Sequence, residues 1–194
     1  MAEFFKTLGK KFYLEGLLRK LRYKKVSKYV KREGSLLDIG CGSDFIFLKM
    51  NMDKIKFGYG VDKRAGNLNF KNIKIIELNL DVHQDIPIES DSIDQIFMLA
   101  TFEHLAYPEK ILNELRRLLK NGGEIFLTTP TKLAKPILEF LAYKIGLVDK
   151  EGVKDHKHYF SKSEIEAMFK RAGFEMAKHK YFEFGLNQFL ILRK

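Results

Sequence analysis

The sequence has no tryptophan, only four prolines and a single cysteine, Cys41, in 194 residues. One thiol excludes a disulfide framework and any multi-cysteine zinc or iron–sulfur centre. No run of about 18 uncharged apolar residues occurs, so no transmembrane helix is expected. The opening MAEFFKTLGKKF has no apolar stretch long enough for a secretory signal. Internal repeats and low-complexity linkers are lacking as well. What is present suits a packed core: 45% of residues are hydrophobic, including 17 Phe and 8 Tyr, which excludes disorder. The length fits one domain, and a cytoplasmic location is expected.

The net charge of +10 lies in one place. Residues Phe4 to Arg32 hold eleven Lys/Arg against Glu15 alone, leaving 24 basic and 24 acidic residues elsewhere. Within this arm (1–33), Leu14, Leu17, Leu18 and Leu21 have the spacing of one helical stripe, surrounded by Lys10, Arg19, Lys20, Arg22, Lys24 and Lys25. Such a helix can be packed with a solvated basic back. It can also meet an anionic membrane surface, a phosphorylated substrate or RNA.

Beyond Gly34 the pattern becomes short apolar runs separated by turns. Strands are expected at Leu36–Ile39, Phe57–Asp62, Ile73–Leu78, Ile93–Leu99 and Glu124–Thr128, with a last pair at Glu175–Phe184 and Gln188–Leu192. Helices are expected at Phe45–Met52, at Pro108–Leu119 with Pro in its first turn, at Leu133–Leu147, and after the capping-box sequence Ser161–Glu164. Asn121-Gly122-Gly123 should stop the second of these helices, and Asp149 to His158 reads as a polar loop. Strands alternating with helices imply a doubly wound α/β fold with a mostly parallel sheet.

The informative segment is Leu36-Leu37-Asp38-Ile39-Gly40-Cys41-Gly42. A strand running into Gly-x-Gly lets bare backbone approach a ligand at the carboxyl edge of a sheet. Asp62, 22 positions after Gly40, ends the next strand, where a carboxylate can grip two ribose hydroxyls. Together these indicate an adenosine-containing cofactor. A dinucleotide fingerprint would want glycine at position 45, which is Phe45, and Asp38 and Asp44 would repel a pyrophosphate. Carboxylates around the turn favour instead S-adenosylmethionine, with its sulfonium and ammonium. No Gly-Lys-Ser/Thr follows the turn, so a P-loop is excluded.

With these motifs the chain resembles the class I S-adenosylmethionine-dependent methyltransferases, specifically their small type 11 branch. Gly60-Val61-Asp62, Asn79-Leu80-Asp81-Val82, Ser92 through Leu105, Leu118 through Pro130, and His156 through Phe174 match further motifs in the family's order. The resemblance implies a Rossmann-like domain over 34–194, with a seven-stranded sheet whose last strand is antiparallel, and a helical insertion near 132–160. It implies that Asp62, beside Lys63, binds the ribose, that Asp81 and the Val82 amide meet the adenine, and that Asp38, Gly40, Cys41, Gly42 and the Ala100 carbonyl surround the methionine portion. Asp94 reads as structural. Position 44, usually glycine in the family, is Asp44. It either narrows the pocket or starts the following helix.

The reaction implied is methyl transfer, with His104 or His156 as the base an oxygen acceptor would need. No metal is expected, because His156 and His158 lack a second spaced pair. A small-molecule acceptor, anionic or lipid- or sugar-linked, is the first reading, with Phe140, Tyr143, Tyr159 and Phe160 as lining candidates. An RNA acceptor held by the basic arm is the second, although the fourth strand, ending Met98-Leu99-Ala100-Thr101, lacks the Asp/Asn-Pro-Pro-aromatic motif. The third is a non-catalytic binding platform.

Overall fold

A computed structural model describes residues 16, 19–83, 85–145 and 150–194. Helix α1 covers residues 19–27, and the rest alternates around one sheet. Strands β1 (Ser35–Ile39), β2 (Phe57–Asp62), β4 (Ile73–Glu77), β5 (Ile93–Leu99) and β6 (Leu119–Pro130) are parallel. Strand β8 (Asn187–Arg193) runs antiparallel between β6 and β7 (Glu175–Phe182). The order is β3-β4-β2-β1-β5-β6-β8-β7.

The sheet has eight strands rather than the seven expected, because β3 (Leu68–Phe70) adds an antiparallel edge to β4. All three β3 residues are exposed, so no in–out alternation marked it in the sequence.

Two hydrophobic layers cover the sheet. On one face, Ile111, Leu112, Leu115 and Leu118 of α3 (Pro108–Leu118) pack with Ile165, Met168 and Phe169 of α6 (Lys162–Arg171) against Leu37, Ile39, Ile96 and Met98. The expected capping box opens α6: the Glu164 amide donates to Ser161 Oγ, and the Ser161 amide to Glu164 Oε2 at 2.7 Å. On the other face, Phe47 and Leu48 of α2 (Ile46–Asn51) join Tyr23, Val26 and Val30 over Leu36, Phe97 and Phe126. Helix α3 passes straight into β6 at Leu119, so Asn121-Gly122-Gly123 lies within the strand and does not end the helix.

The described part of the arm, residues 19–33, packs on this face of the domain through Tyr23, Val26 and Val30. Of the leucine stripe, Leu14, Leu17 and Leu18 lie outside the described residues, and Leu21 is exposed. The packed face is Tyr23, Val26 and Val30 instead. The chain after the helix is pinned by polar contacts: the Lys31 amide donates to Gln95 Oε1 at 2.7 Å, and Gln95 Nε2 to the Tyr29 carbonyl at 2.9 Å. Asp94 is structural. It accepts from Lys31, Lys120 and the Ser35 amide, and although burial opposes its charge, these donors hold its carboxyl well below the usual range.

Phe97 is fully buried and lies 4.6 Å from the Phe126 ring and 4.9 Å from the Phe47 ring. Phe97→Ala should cost about 3–5 kcal/mol of unfolding free energy through lost burial and an unfilled cavity. Urea denaturation measures this, and a loss below about 1 kcal/mol would contradict the packing described.

Candidate functional site

Strand β1 lies between β2 and β5, so the chain order reverses there and a crevice opens at the strands' carboxyl ends. The turn after β1 forms its floor. The Gly40 amide donates to the Val61 carbonyl at 2.7 Å, keeping the turn close to β2. Gly40 has φ 77°, and a Cβ there would collide with the Thr101 side chain. Only glycine fits this position. Beside the turn is a cavity of about 370 Å³, lined by Gly40, Gly42, Asp62, Lys63, Asp81, Ala100, Thr101 and His104, with Gly152 and Asp155 above.

Asp62 is fixed by two backbone donors, the Gly42 amide at 3.1 Å to Oδ2 and the Arg64 amide at 2.8 Å to Oδ1. Asp38 lies beneath the turn, only 3% exposed and outside the cavity lining. Burial first, then the charges of Asp62 and Asp44, push its pKa up to about 8. This concentration of negative potential is relieved by a cation and worsened by an anion. Asp44 turns away to Arg19 of α1, with Nη1 to Oδ2 at 2.8 Å. It does not cap α2, which begins after Phe45 in a left-handed conformation. Cys41 is buried, and burial together with Asp38 raises its thiol well above the ordinary value, so it is no nucleophile.

Asp81 and Val82, the residues expected at the adenine, are tied to the loops around them. Asp81 accepts from the Ala106 amide at 2.7 Å and from Lys157 Nζ at 2.6 Å. Burial alone would raise its pKa, but the Lys157 ammonium and the Ala106 amide hold it below the usual value. The Val82 side chain is exposed, and its amide is engaged with the Asn79 carbonyl at 3.0 Å. Ala100, at the end of β5, has φ 57°, a strained conformation for a residue with a Cβ. Its amide donates to the Thr128 carbonyl at 2.9 Å.

His104 and His156, 52 positions apart in sequence, come together with ring centroids 4.7 Å apart. Helix α5 (Lys150–Lys154) and the chain after it bring this about: the Lys157 and His158 amides both donate to the Glu103 carbonyl. His104 Nδ1 is 3.2 Å from Asp155 Oδ2, and His156 Nδ1 is 2.9 Å from the Tyr159 hydroxyl. Burial and the neighbouring His104 lower the His156 pKa to about 4, so this ring is neutral.

The four candidate lining aromatics separate. Phe140 and Tyr143 are exposed, Tyr159 contacts His156, and Phe160 packs on Phe102. Sequence reading missed Glu103, which is 1% exposed beside these histidines, because a lone acidic residue before a histidine carries no sign of burial.

A methyltransferase-domain family model matches residues 12–179. The chain belongs to that family. It is 27% identical to a ubiquinone/menaquinone biosynthesis C-methyltransferase of Campylobacter jejuni, over 87% of this chain and 82% of that protein. It is 26% identical to a ubiquinone biosynthesis O-methyltransferase of Nitrosococcus oceani, over 77% and 69%. A solved S-adenosylmethionine-dependent methyltransferase of Aquifex aeolicus superposes with a TM-score of 0.64 at 22% identity, over 88% of both chains. The protein is thus an S-adenosylmethionine-dependent methyltransferase, and its crevice fits that cofactor: bare backbone at Gly40, a fixed carboxylate at Asp62, and beneath them the buried carboxyl of Asp38, whose ionisation a bound cation would favour.

Two outcomes follow for this methyltransferase. Asp62→Ala should weaken S-adenosylhomocysteine binding by roughly 1.5–3 kcal/mol, the size of a lost charged hydrogen bond; unchanged affinity in calorimetry would remove Asp62 from the site. The folded-state pKa of Asp38 is raised, to about 8. Its stabilising contribution is therefore complete below an unfolded value of about 3.9 and is lost as pH rises through the folded value. Melting temperature of the ligand-free protein should fall between pH 5 and about pH 8, and Asp38→Asn should flatten that fall. Parallel slopes for the two proteins would contradict it.

Proposed function

We propose that this methyltransferase acts on a small, lipophilic acceptor of phenol or quinol type, reached from a membrane surface. The observation carrying this reading is a row of exposed apolar side chains on the segment that adjoins the roof of the crevice. Leu133, Ile137, Phe140, Tyr143 and Ile145, in and around α4 (Ala134–Phe140), are each at least 42% exposed. Helix α4 and the turn after it touch α5, and α5 contributes Gly152 to the cavity lining. No described helix is long and apolar enough to cross a membrane, so this row suits contact with a surface or an oily ligand. The names of the two relatives, both in ubiquinone biosynthesis, support the same acceptor class.

S-adenosylmethionine, when bound, supplies a methyl group on a sulfonium centre that a nucleophile displaces in line. The chain's own residues align and shield. Asp62 and Asp81 hold the nucleoside end, the Asp38 carboxyl beneath the turn gives up its proton more readily when a cation lies above it, and α5 with Lys157 closes over the crevice. His104 lies on the crevice wall, its ring oriented by Asp155, where an acceptor hydroxyl would lose its proton. His156 backs it.

The basic arm gives less support to an RNA acceptor. Arg19 is paired with Asp44 and Lys31 with Asp94 inside the domain, while Lys20, Lys24 and Lys28 are exposed. Those three suit attraction to an anionic lipid surface, worth about 1 kcal/mol per basic residue.

The test is transfer of radiolabelled methyl from S-adenosylmethionine to a demethylated quinol in anionic vesicles, with total RNA as the competing acceptor. Label should enter the organic phase, and the triple substitution Lys20→Glu, Lys24→Glu, Lys28→Glu should reduce the rate at least tenfold on anionic vesicles but not in neutral micelles. Label in RNA alone, or in neither, would overturn the acceptor assignment.

A further inference from the structure

Glu103 is the least explained group in the molecule. It is 1% exposed, and its carboxylate has only the buried Thr129 hydroxyl acting on it, in a geometry too poor to satisfy either oxygen. A buried carboxylate with so few donors is strongly disfavoured unless a proton or a cation meets it. Two imidazoles stand beside it: one donor atom each of Glu103, His104 and His156 lie within 4.8 Å of one another. Both imidazoles already have Nδ1 engaged, His104 with Asp155 and His156 with the Tyr159 hydroxyl. That outer arrangement fixes the ring orientation of metal-ligating histidines and leaves Nε2 for the ion.

We infer that Glu103, His104 and His156 form a binding site for a first-row divalent cation such as zinc at the wall of the cofactor crevice. Two imidazoles and one carboxylate are the donor set of borderline divalent ions. Bonds of about 2.0–2.2 Å need donors nearer roughly 3.5 Å apart, a closure of about an ångström that small adjustments of the two half-buried histidines supply while their Nδ1 contacts are kept. Three protein ligands leave coordination positions free, as in catalytic rather than structural sites. His104 lines the crevice, so the free positions face the space an acceptor oxygen would enter. A hydroxyl bound there ionises near neutral pH and releases its proton to water. The two histidines then act through the ion instead of as bare bases. This deepens the acceptor reading above, pointing to an oxygen-bearing acceptor that coordinates before it is methylated.

The competing explanation is that Glu103 serves only Arg22 and Thr129, whose Nε and Oγ1 are also buried without another partner and which both act on its carboxyl. Cobalt(II) added to chelator-treated full-length protein separates the two. Expected are visible d–d absorption bands at one equivalent, displaced by zinc, with Glu103→Gln and His156→Gln each weakening cobalt binding at least tenfold. S-adenosylhomocysteine calorimetry on the same samples checks that each variant is folded. No bands at millimolar cobalt, or bands unaffected by both substitutions, would overturn the site. S-adenosylhomocysteine binding without cobalt binding would discard the metal and keep the cofactor reading; cobalt binding without S-adenosylhomocysteine binding would do the reverse.

Discussion

The site depends on an approach that only a missing side chain permits. Residue 40 is pressed against Thr101, so the turn leaving β1 and the loop leaving β5 meet where the two central strands diverge. A Cβ at that point would force them apart and displace the wall that carries Ala100, Thr101 and His104. The same turn gives its first amide to β2 and its third residue's amide to Asp62. One close contact therefore sets the position of the floor, one wall and the Asp62 carboxylate together.

Electrostatics then selects the ligand. Asp38 is buried under this turn with Asp62 and Asp44 acting on it, while Arg19 compensates only the outermost of the three. A phosphate in this crevice would meet a rising negative potential, and a cationic methyl donor a falling one. Asp44, the departure from the family's usual glycine, is accommodated by turning its carboxylate toward α1. The basic helix thus contributes to the cofactor site indirectly, by neutralising a charge that would otherwise add to the load on Asp38.

Much of the domain was legible in the sequence because its signals are local. Strand, Gly-x-Gly, helix, strand and terminal Asp follow one another within 30 residues, and each is fixed by periodicity or turn chemistry. The Ser161–Glu164 capping box is likewise a contact between near neighbours. What escaped notice had weak local signals: β3 is three exposed residues, and α5 contains Gly152 at its centre with Val153 as its one buried residue. Of the leucine stripe, only Leu21 falls among the described residues. Spacing identifies a helix, but Tyr23, Val26 and Val30 pack against Phe47 and its neighbours, whereas Leu21 does not.

The sequence by itself determined the wound sheet, its mostly parallel strands and the acidic character of the turn after β1, since these follow from periodicity and from residue types at fixed spacing. Tertiary structure alone decided that His104 and His156 are neighbours, that Glu103 is buried beside them, and that the aromatics of the insertion scatter instead of lining one pocket. These are relations between segments about 50 residues apart, created when the chain after α5 hydrogen-bonds to the Glu103 carbonyl. Burial and proximity of that kind depend on the packing of the whole domain, and no local pattern encodes them.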